Sequence, residues 1–207
     1  MVVGIIDYGA GNLQSVENAL AKVQANAEVF DDPARLGAFD KLILPGVGAF
    51  AEGMASLRRR GWVEPLGETA RAGVPILGIC LGMQLMCLDS DEDGLNDGLG
   101  WIQARVRAIP PAPGRKVPHM GWNALEFVRR PPICEGVADL ADVYFVHSYA
   151  VQSEDPAVAV AETEYGIRFI SLFARDNLIG MQFHPEKSQQ VGMQMLANFC
   201  RASFGHG

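Results

Sequence analysis

Four short strand-like runs, at residues 2–6, 28–30, 41–44 and 74–77, alternate with segments of helical spacing through residue 88. Val16, Ala19, Leu20 and Val23 follow the first run, Phe50, Met54 and Leu57 follow the third, and a further helix is expected over 62–72. Strands that alternate with helices must pair in parallel, so the pattern predicts a sheet covered on both faces. From Trp101 the rhythm changes to short strand-like segments at 101–106, 122–128, 143–145, 158–163, 167–173 and 178–183. These are read as antiparallel strands added at the sheet edge. The acidic, glycine-bearing stretch 89–100 reads as a surface loop, and the prolines at 110, 111 and 113 mark another. A closing helix is expected from Ser188, its N-cap, to about Phe204, with Val191, Met195, Leu196 and Phe199 on one face. The fold class is therefore α/β: a mixed, mainly parallel central sheet flanked by helices, with antiparallel strands added in the C-terminal half.

The fourth run leads into Gly78-Ile79-Cys80-Leu81-Gly82-Met83-Gln84, followed by Leu85 and Leu88 at helical spacing from Leu81. Strand, sharp turn, helix with Gly-x-Cys-x-Gly at the turn is the cysteine form of a nucleophile elbow. Cys80 at the tip would face the positive end of the next helix, which favours thiolate over thiol. The alternative is a buried structural cysteine. Far downstream, Gly180-Met181-Gln182-Phe183-His184-Pro185-Glu186 ends a strand in a histidine and a carboxylate two residues apart. In an extended chain both point to one side, so Glu186 can fix the His184 tautomer while His184 exchanges a proton with a nucleophile. The alternative is a turn with a solvent-facing histidine. His119 and His147 lack an acid at such spacing, and His206 falls in a terminal tail. Pro45-Gly46-Val47-Gly48 closes the third strand, where backbone N–H groups could meet an oxyanion together with that of Leu81; an ordinary tight turn is the alternative. The residues alone reach as far as a cysteine acyl transferase or hydrolase.

Other classes are disfavoured. Gly9 and Gly11 lack the third glycine of a dinucleotide fingerprint. A net charge of −7 argues against nucleic acid, and the Arg58-Arg59-Arg60 cluster is read as a favourable helix C-terminus. The cysteines at 80, 87, 134 and 200 show neither zinc-ligand spacing nor a disulfide framework, so no metal site is expected and a reducing, cytoplasmic setting is. No leader is apparent, and no apolar run approaches membrane-spanning length. The 207 residues suit one domain, 1–207.

The motifs at 45–48, 78–84 and 184–186, in this order, resemble class I glutamine amidotransferases, with a flavodoxin-like fold and a Cys-His-Glu triad. Within that family, Asp7-Tyr8-Gly9-Ala10-Gly11-Asn12, Pro118-His119-Met120-Gly121-Trp122-Asn123, Val146-His147-Ser148-Tyr149 and Lys187-Ser188 resemble glutaminase subunits of imidazole glycerol phosphate synthase. The likeness runs from residue 2 to about 200. It implies hydrolysis of L-glutamine to glutamate and ammonia by Cys80, His184 and Glu186. It also implies an oxyanion hole at Val47 and Leu81, and glutamine contacts at Gly48, Gln84, Ser148 and Tyr149. A heterodimer with a (β/α)₈ cyclase is implied too, facing Asn12, Met120, Trp122, Asn123 and Lys187, with ammonia channelled to it and no cofactor. Another class I amidotransferase, a γ-glutamyl hydrolase and an inactive regulatory protein that merely docks are the competing expectations.

Overall fold

The computed structural model describes residues 1–204; His206 lies outside them. The first half runs β1 (Val3–Ile6), α1 (Leu13–Lys22), β2 (Ala27–Phe30), a 3-10 turn (Pro33–Ala38), β3 (Lys41–Leu44), α2 (Phe50–Arg59), α3 (Val63–Arg71), β4 (Ile76–Ile79) and α4 (Leu81–Leu85). β1, β3 and β4 are buried at every position, as parallel strands covered on both faces must be. Alternate side chains serve two cores. Val3, Ile5 and Ile43 pack with Leu20 of α1, whereas Ile6, Leu42 and Leu44 pack with Phe50, Leu57 and Trp62. Each such side chain contributes about 1.5–3 kcal/mol through burial.

Helices α2 and α3 stop for the same local reason. Gly61 and Gly73 take positive φ just past the helix ends. The N–H groups of Gly61 and Trp62 then bond the carbonyls of Arg58 and Leu57, and those of Gly73 and Val74 bond Ala70 and Thr69. Arg58 and Arg59 occupy the last turn of α2, the placement expected of the basic cluster.

The second half contributes β5 (Cys87–Ser90), β6 (Asn96–Asp97), β7 (Ile102–Ala108), β8 (His119–Phe127), a 3-10 turn (Pro132–Cys134), β9 (Ala141–His147), β10 (Tyr149–Gln152), β11 (Ala159–Glu164), β12 (Arg168–Arg175), β13 (Leu178–Met181), a 3-10 turn (Pro185–Lys187) and α5 (Gln189–Arg201). The strand order is β2-β1-β3-β4-β13-β12-β10-β7-β5-β6, with β11 joining β12 to β8 and β9. β13 was expected among the antiparallel additions; it runs parallel to β4, with Leu178 opposite Ile76 and Met181 opposite Ile79. The antiparallel part begins beyond it, at β12, and is not uniform: β7, also expected to be antiparallel, runs antiparallel to β10 but parallel to β5.

Two more expectations change. The apolar spacing Leu81, Leu85, Leu88 suggested a long helix after Cys80, yet α4 ends at Leu85 and Leu88 lies in β5. The carbonyls of Leu85, Met86, Cys87 and Leu88 are taken by N–H groups of Leu99, Trp101, Gly100 and Gly98, which removes the acceptors a longer helix would use. For the same reason the surface loop expected at 89–100 begins inside the sheet, with Asp89 and Ser90 buried. Ser188 does stand at the N-cap of α5, but its hydroxyl makes no cap bond: it donates to the His184 carbonyl at 2.7 Å and accepts from the Tyr144 N–H at 3.0 Å. The other end of α5 is held by Lys41, whose Nζ donates to the carbonyls of Phe199, Cys200 and Ala202.

Candidate active site

The pairing of β13 with β4 brings two distant segments side by side. β4 leads directly into Cys80, which has φ 53° and ψ −108°, a strained conformation for a residue with a side chain. Its N–H donates to the Met181 carbonyl at 2.7 Å, tying the turn to β13. The flanking glycines are required sterically. A Cβ on Gly78 would lie 2.7 Å from the Gly82 carbonyl oxygen, and one on Gly82 only 1.8 Å from that of Leu44. With five residues, α4 supplies little of the macrodipole expected to act on Cys80. The local field comes from the first amides of α4 and from His184.

His184 and Glu186 follow β13, and their side chains are 3% and 2% exposed. Nδ1 of His184 lies 2.8 Å from Oε1 of Glu186. The approach is made by the 3-10 turn over Pro185–Lys187, where an extended chain was expected. Gly192 of α5 seats that turn, since a Cβ there would come 1.9 Å from the Pro185 carbonyl oxygen. Nε2 of His184 is buried without a nitrogen or oxygen partner. Burial pulls the imidazole pKa down, but interaction with the Cys80 thiol and the Glu186 carboxylate more than reverses this, raising it to about 9. An imidazolium is therefore the favoured state at neutral pH.

Both segments open onto a cleft of about 350 Å³, bordered by Val47, Gly48, Cys80, Leu81, Gln84, Glu92, Val146, His147, Ser148, Tyr149 and His184. Gly48 has φ +103°, and Val47 beside it is 45% exposed. Gln84 Nε2 donates to the Tyr149 carbonyl and to Gln182 Oε1, each at 3.0 Å, which leaves only its Oε1 for a ligand. A larger groove of about 750 Å³ between α1 and α5 also reaches Glu186 but is bordered by no cysteine, serine, threonine or histidine. Among the described residues, no cluster of three or more His, Cys, Asp or Glu side chains is arranged to hold a metal ion, and no helix is long and apolar enough to cross a membrane.

Two residues of the site, Glu92 and Gln182, are not among the sequence candidates, and a third, His147, ranks there below His184. Glu92 brings a carboxylate to the cleft and accepts the Phe50 N–H at 2.7 Å, closing the start of α2. Gln182 is fully buried, its Nε2 3.8 Å from Cys80 Sγ. His147 also borders the cleft. Gln182 stands two residues before His184 and so carried a sequence signal; Glu92, in an apparent surface loop, carried none.

The residues expected to face a partner divide. Met120 and Trp122 are exposed on β8, and Trp122 and Lys187 both approach the Tyr144 ring, the indole edge-on at 5.8 Å and the Nζ at 5.9 Å from its centroid. Asn12 is exposed and caps α1 through Ser15. Its turn lies against the 45–48 loop, since a Cβ on Gly11 would stand 3.6 Å from Gly46. Asn123 is on the opposite side of β8 from Trp122, and its amide turns inward to His119 and the Glu164 carbonyl.

The family model described as glutamine amidotransferase class-I matches residues 4–202. Imidazole glycerol phosphate synthase subunit HisH of Desulfitobacterium hafniense (strain Y51) is 50% identical over 198 residues, covering 96% of this chain and 93% of its own. The protein of the same name from Symbiobacterium thermophilum is 49% identical over 197 residues, covering 95% and 92%. Among solved structures, a glutamine amidotransferase superposes with TM-score 0.73 at 21% identity, covering 95% of this chain and 99% of its own. That last likeness concerns the fold alone.

Proposed function

The chain belongs to the class I glutamine amidotransferases, and from that membership we propose that it is the glutaminase subunit of an imidazole glycerol phosphate synthase, with Cys80, His184 and Glu186 as its triad. The observation that carries the reading is the convergence of a strained cysteine and a buried His–Glu pair on one cleft, in a chain half identical to the HisH proteins along nearly its whole length.

In this reading the Cys80 thiolate attacks the side-chain carbonyl carbon of L-glutamine. The oxygen takes up the negative charge facing the N–H groups of Leu81 and Val47. His184, held as an imidazolium by Glu186, gives its proton to the amide nitrogen; the C–N bond breaks and ammonia leaves. Water, deprotonated by the now neutral His184, then attacks the γ-glutamyl thioester, releasing glutamate and restoring the thiolate. Gly48, Gln84, Ser148 and Tyr149 border the substrate. Glu92, the carboxylate of the cleft, matches its α-ammonium group. Ammonia passes to a (β/α)₈ cyclase docked over Asn12, Met120, Trp122 and Lys187, which forms imidazole glycerol phosphate in histidine biosynthesis. The chain works as one domain, in the cytoplasm, without a cofactor.

The test is glutamate formation from glutamine by the chain alone, with the cyclase, and with cyclase plus its nucleotide ligand. A large rise in the last two mixtures, abolished in Cys80→Ala, is expected. Hydrolysis of γ-glutamyl peptides at rates rivalling glutamine would instead identify a γ-glutamyl hydrolase.

A further inference from the structure

His119 at the start of β8 and His147 at the end of β9 are cross-strand partners, and both are buried. The His119 ring stacks on Tyr165 and Phe145, with centroids 3.9 and 4.7 Å apart. The reaction above gives these imidazoles no chemistry, yet their surroundings dictate where each proton sits. A carbonyl only accepts, so His147 Nδ1, 2.8 Å from the Tyr149 carbonyl, carries a hydrogen. Burial lowers the pKa of His147 to about 3 and that of His119 to about 4, so each ring is neutral and has a single N–H. His147 Nε2 must then accept, and His119 Nδ1, 3.0 Å away, must donate. His119 Nε2 accepts in turn from Asn123 Nδ2 at 3.3 Å. The Asn123 amide is pinned in this orientation because its Nδ2 also donates to the Glu164 carbonyl, while its Oδ1 accepts from the Ala124 N–H.

Every donor therefore points one way, from Asn123 to Tyr149. The Tyr149 carbonyl also receives Gln84 Nε2, and Gln84 bonds Gln182, which approaches the Cys80 sulfur. We propose that His119 and His147 are positioning residues: a one-directional hydrogen-bond relay by which Asn123, on the strand that exposes Met120 and Trp122, fixes the Tyr149 carbonyl and through it the Gln84 side chain in the cleft. The proton arrangement follows from the ring contacts and from the neutrality that burial imposes on both rings; its kinetic consequence rests on the glutaminase reading.

The experiment is ¹⁵N NMR of the imidazole nitrogens in the full chain, combined with glutamine kinetics in the assembly that supports turnover. Both rings should show protonated Nδ1 and bare Nε2, the opposite of the tautomer free histidine prefers in water. Asn123→Asp removes the donor and supplies an acceptor, so His119 should gain a proton on Nε2. His147→Asn keeps a donor near the Nδ1 position, whereas His147→Phe has none. His147→Phe should raise KM for glutamine about tenfold with a smaller change in kcat, and His147→Asn should recover most of that loss. A bare Nδ1 on either ring in the unaltered chain, or no response of His119 to Asn123→Asp, overturns the relay whether or not the chain is a glutaminase. If the tautomers are as stated and the two His147 variants lose activity equally at equal thermal stability, the positioning role is rejected. Should His147→Phe fail to fold, Asn123→Asp decides by the same KM and NMR readouts.

Discussion

Nδ1 of His184 donates to Oε1 of Glu186 across 2.8 Å, in a pair of side chains shut off from solvent. The carboxylate is one of two groups that lift the imidazole pKa to about 9, the other being the Cys80 thiol. In the proposed reaction the acid form that protonates the leaving nitrogen thus persists through neutral pH, and kcat/KM should decline as pH rises past about 9. Glu186→Gln keeps the shape but removes the charge. It should lower kcat by on the order of 10²-fold or more and move the alkaline limb to lower pH. An unchanged limb in a pH–rate profile would remove Glu186 from the triad.

Fold stability should peak between two opposing histidine effects. His119 and His147 have folded pKa values of about 4 and about 3, below the ordinary 6.5, so the unfolded chain binds protons that the folded chain does not. Their stabilisation is complete above about pH 6.5 and falls with acidification, by up to about 1.4 kcal/mol per pH unit for each ring. His184 is raised, so its contribution is complete below about pH 6.5 and is lost as pH climbs through about 9. Urea denaturation across this range should give a maximum near pH 6.5, and replacing His119 and His147 with Phe should flatten the acid side. A double variant with the original acid slope would contradict the assignment.

Gly82 should tolerate no side chain, because a Cβ would fall 1.8 Å from the Leu44 carbonyl oxygen. Gly82→Ala must move backbone on β3 or α4 and should cost on the order of 3 kcal/mol or more, abolishing turnover as the elbow shifts. Gly37→Ala, where nothing lies within 4 Å, is the control and should leave the denaturation midpoint nearly unchanged.

Glu92 serves both the cleft and the start of α2. Glu92→Gln retains an oxygen for the Phe50 N–H but loses the charge proposed to meet the substrate ammonium. KM for glutamine should rise roughly 10- to 100-fold, the worth of a charge-assisted hydrogen bond, with the melting temperature held. Glu92→Ala should in addition lose about 1 kcal/mol of stability with the cap. Equal KM in Glu92→Gln and the parent chain would assign Glu92 to the helix cap alone.

The legible parts of this molecule were those written in local pattern. The parallel strands β1 and β4 are continuous apolar runs, β3 is one after its opening Lys41, and the elbow needs its glycines within two residues of Cys80. Convergence of residues 80 and 184 was inferred from chemistry and motif resemblance; physically it depends on β13 slotting beside β4, a pairing that no local pattern encodes. β5 was misread because the N–H groups that end α4 come from 98–101. Tyr149–Gln152 was missed as a strand for a similar reason: it is defined by its neighbours β7 and β12 more than by its own four residues. His119 and His147 looked weak because their partners are each other and Asn123, contacts that a search for nearby acids passes over.

The place of β13 in the sheet has a bearing on how the chain is made. Synthesis delivers β4 and Cys80 about a hundred residues ahead of the strand that completes their surroundings. Until then the free edge of β4 is an open template for the wrong partner, and the slow closure expected of such distant pairing prolongs that exposure. The same delay leaves the emerging thiol with neither His184 nor Glu186 beside it. A ribosome-bound chain of this sequence is therefore vulnerable in folding while its Cys80 lacks the proposed proton donor, which arrives only when β13 docks.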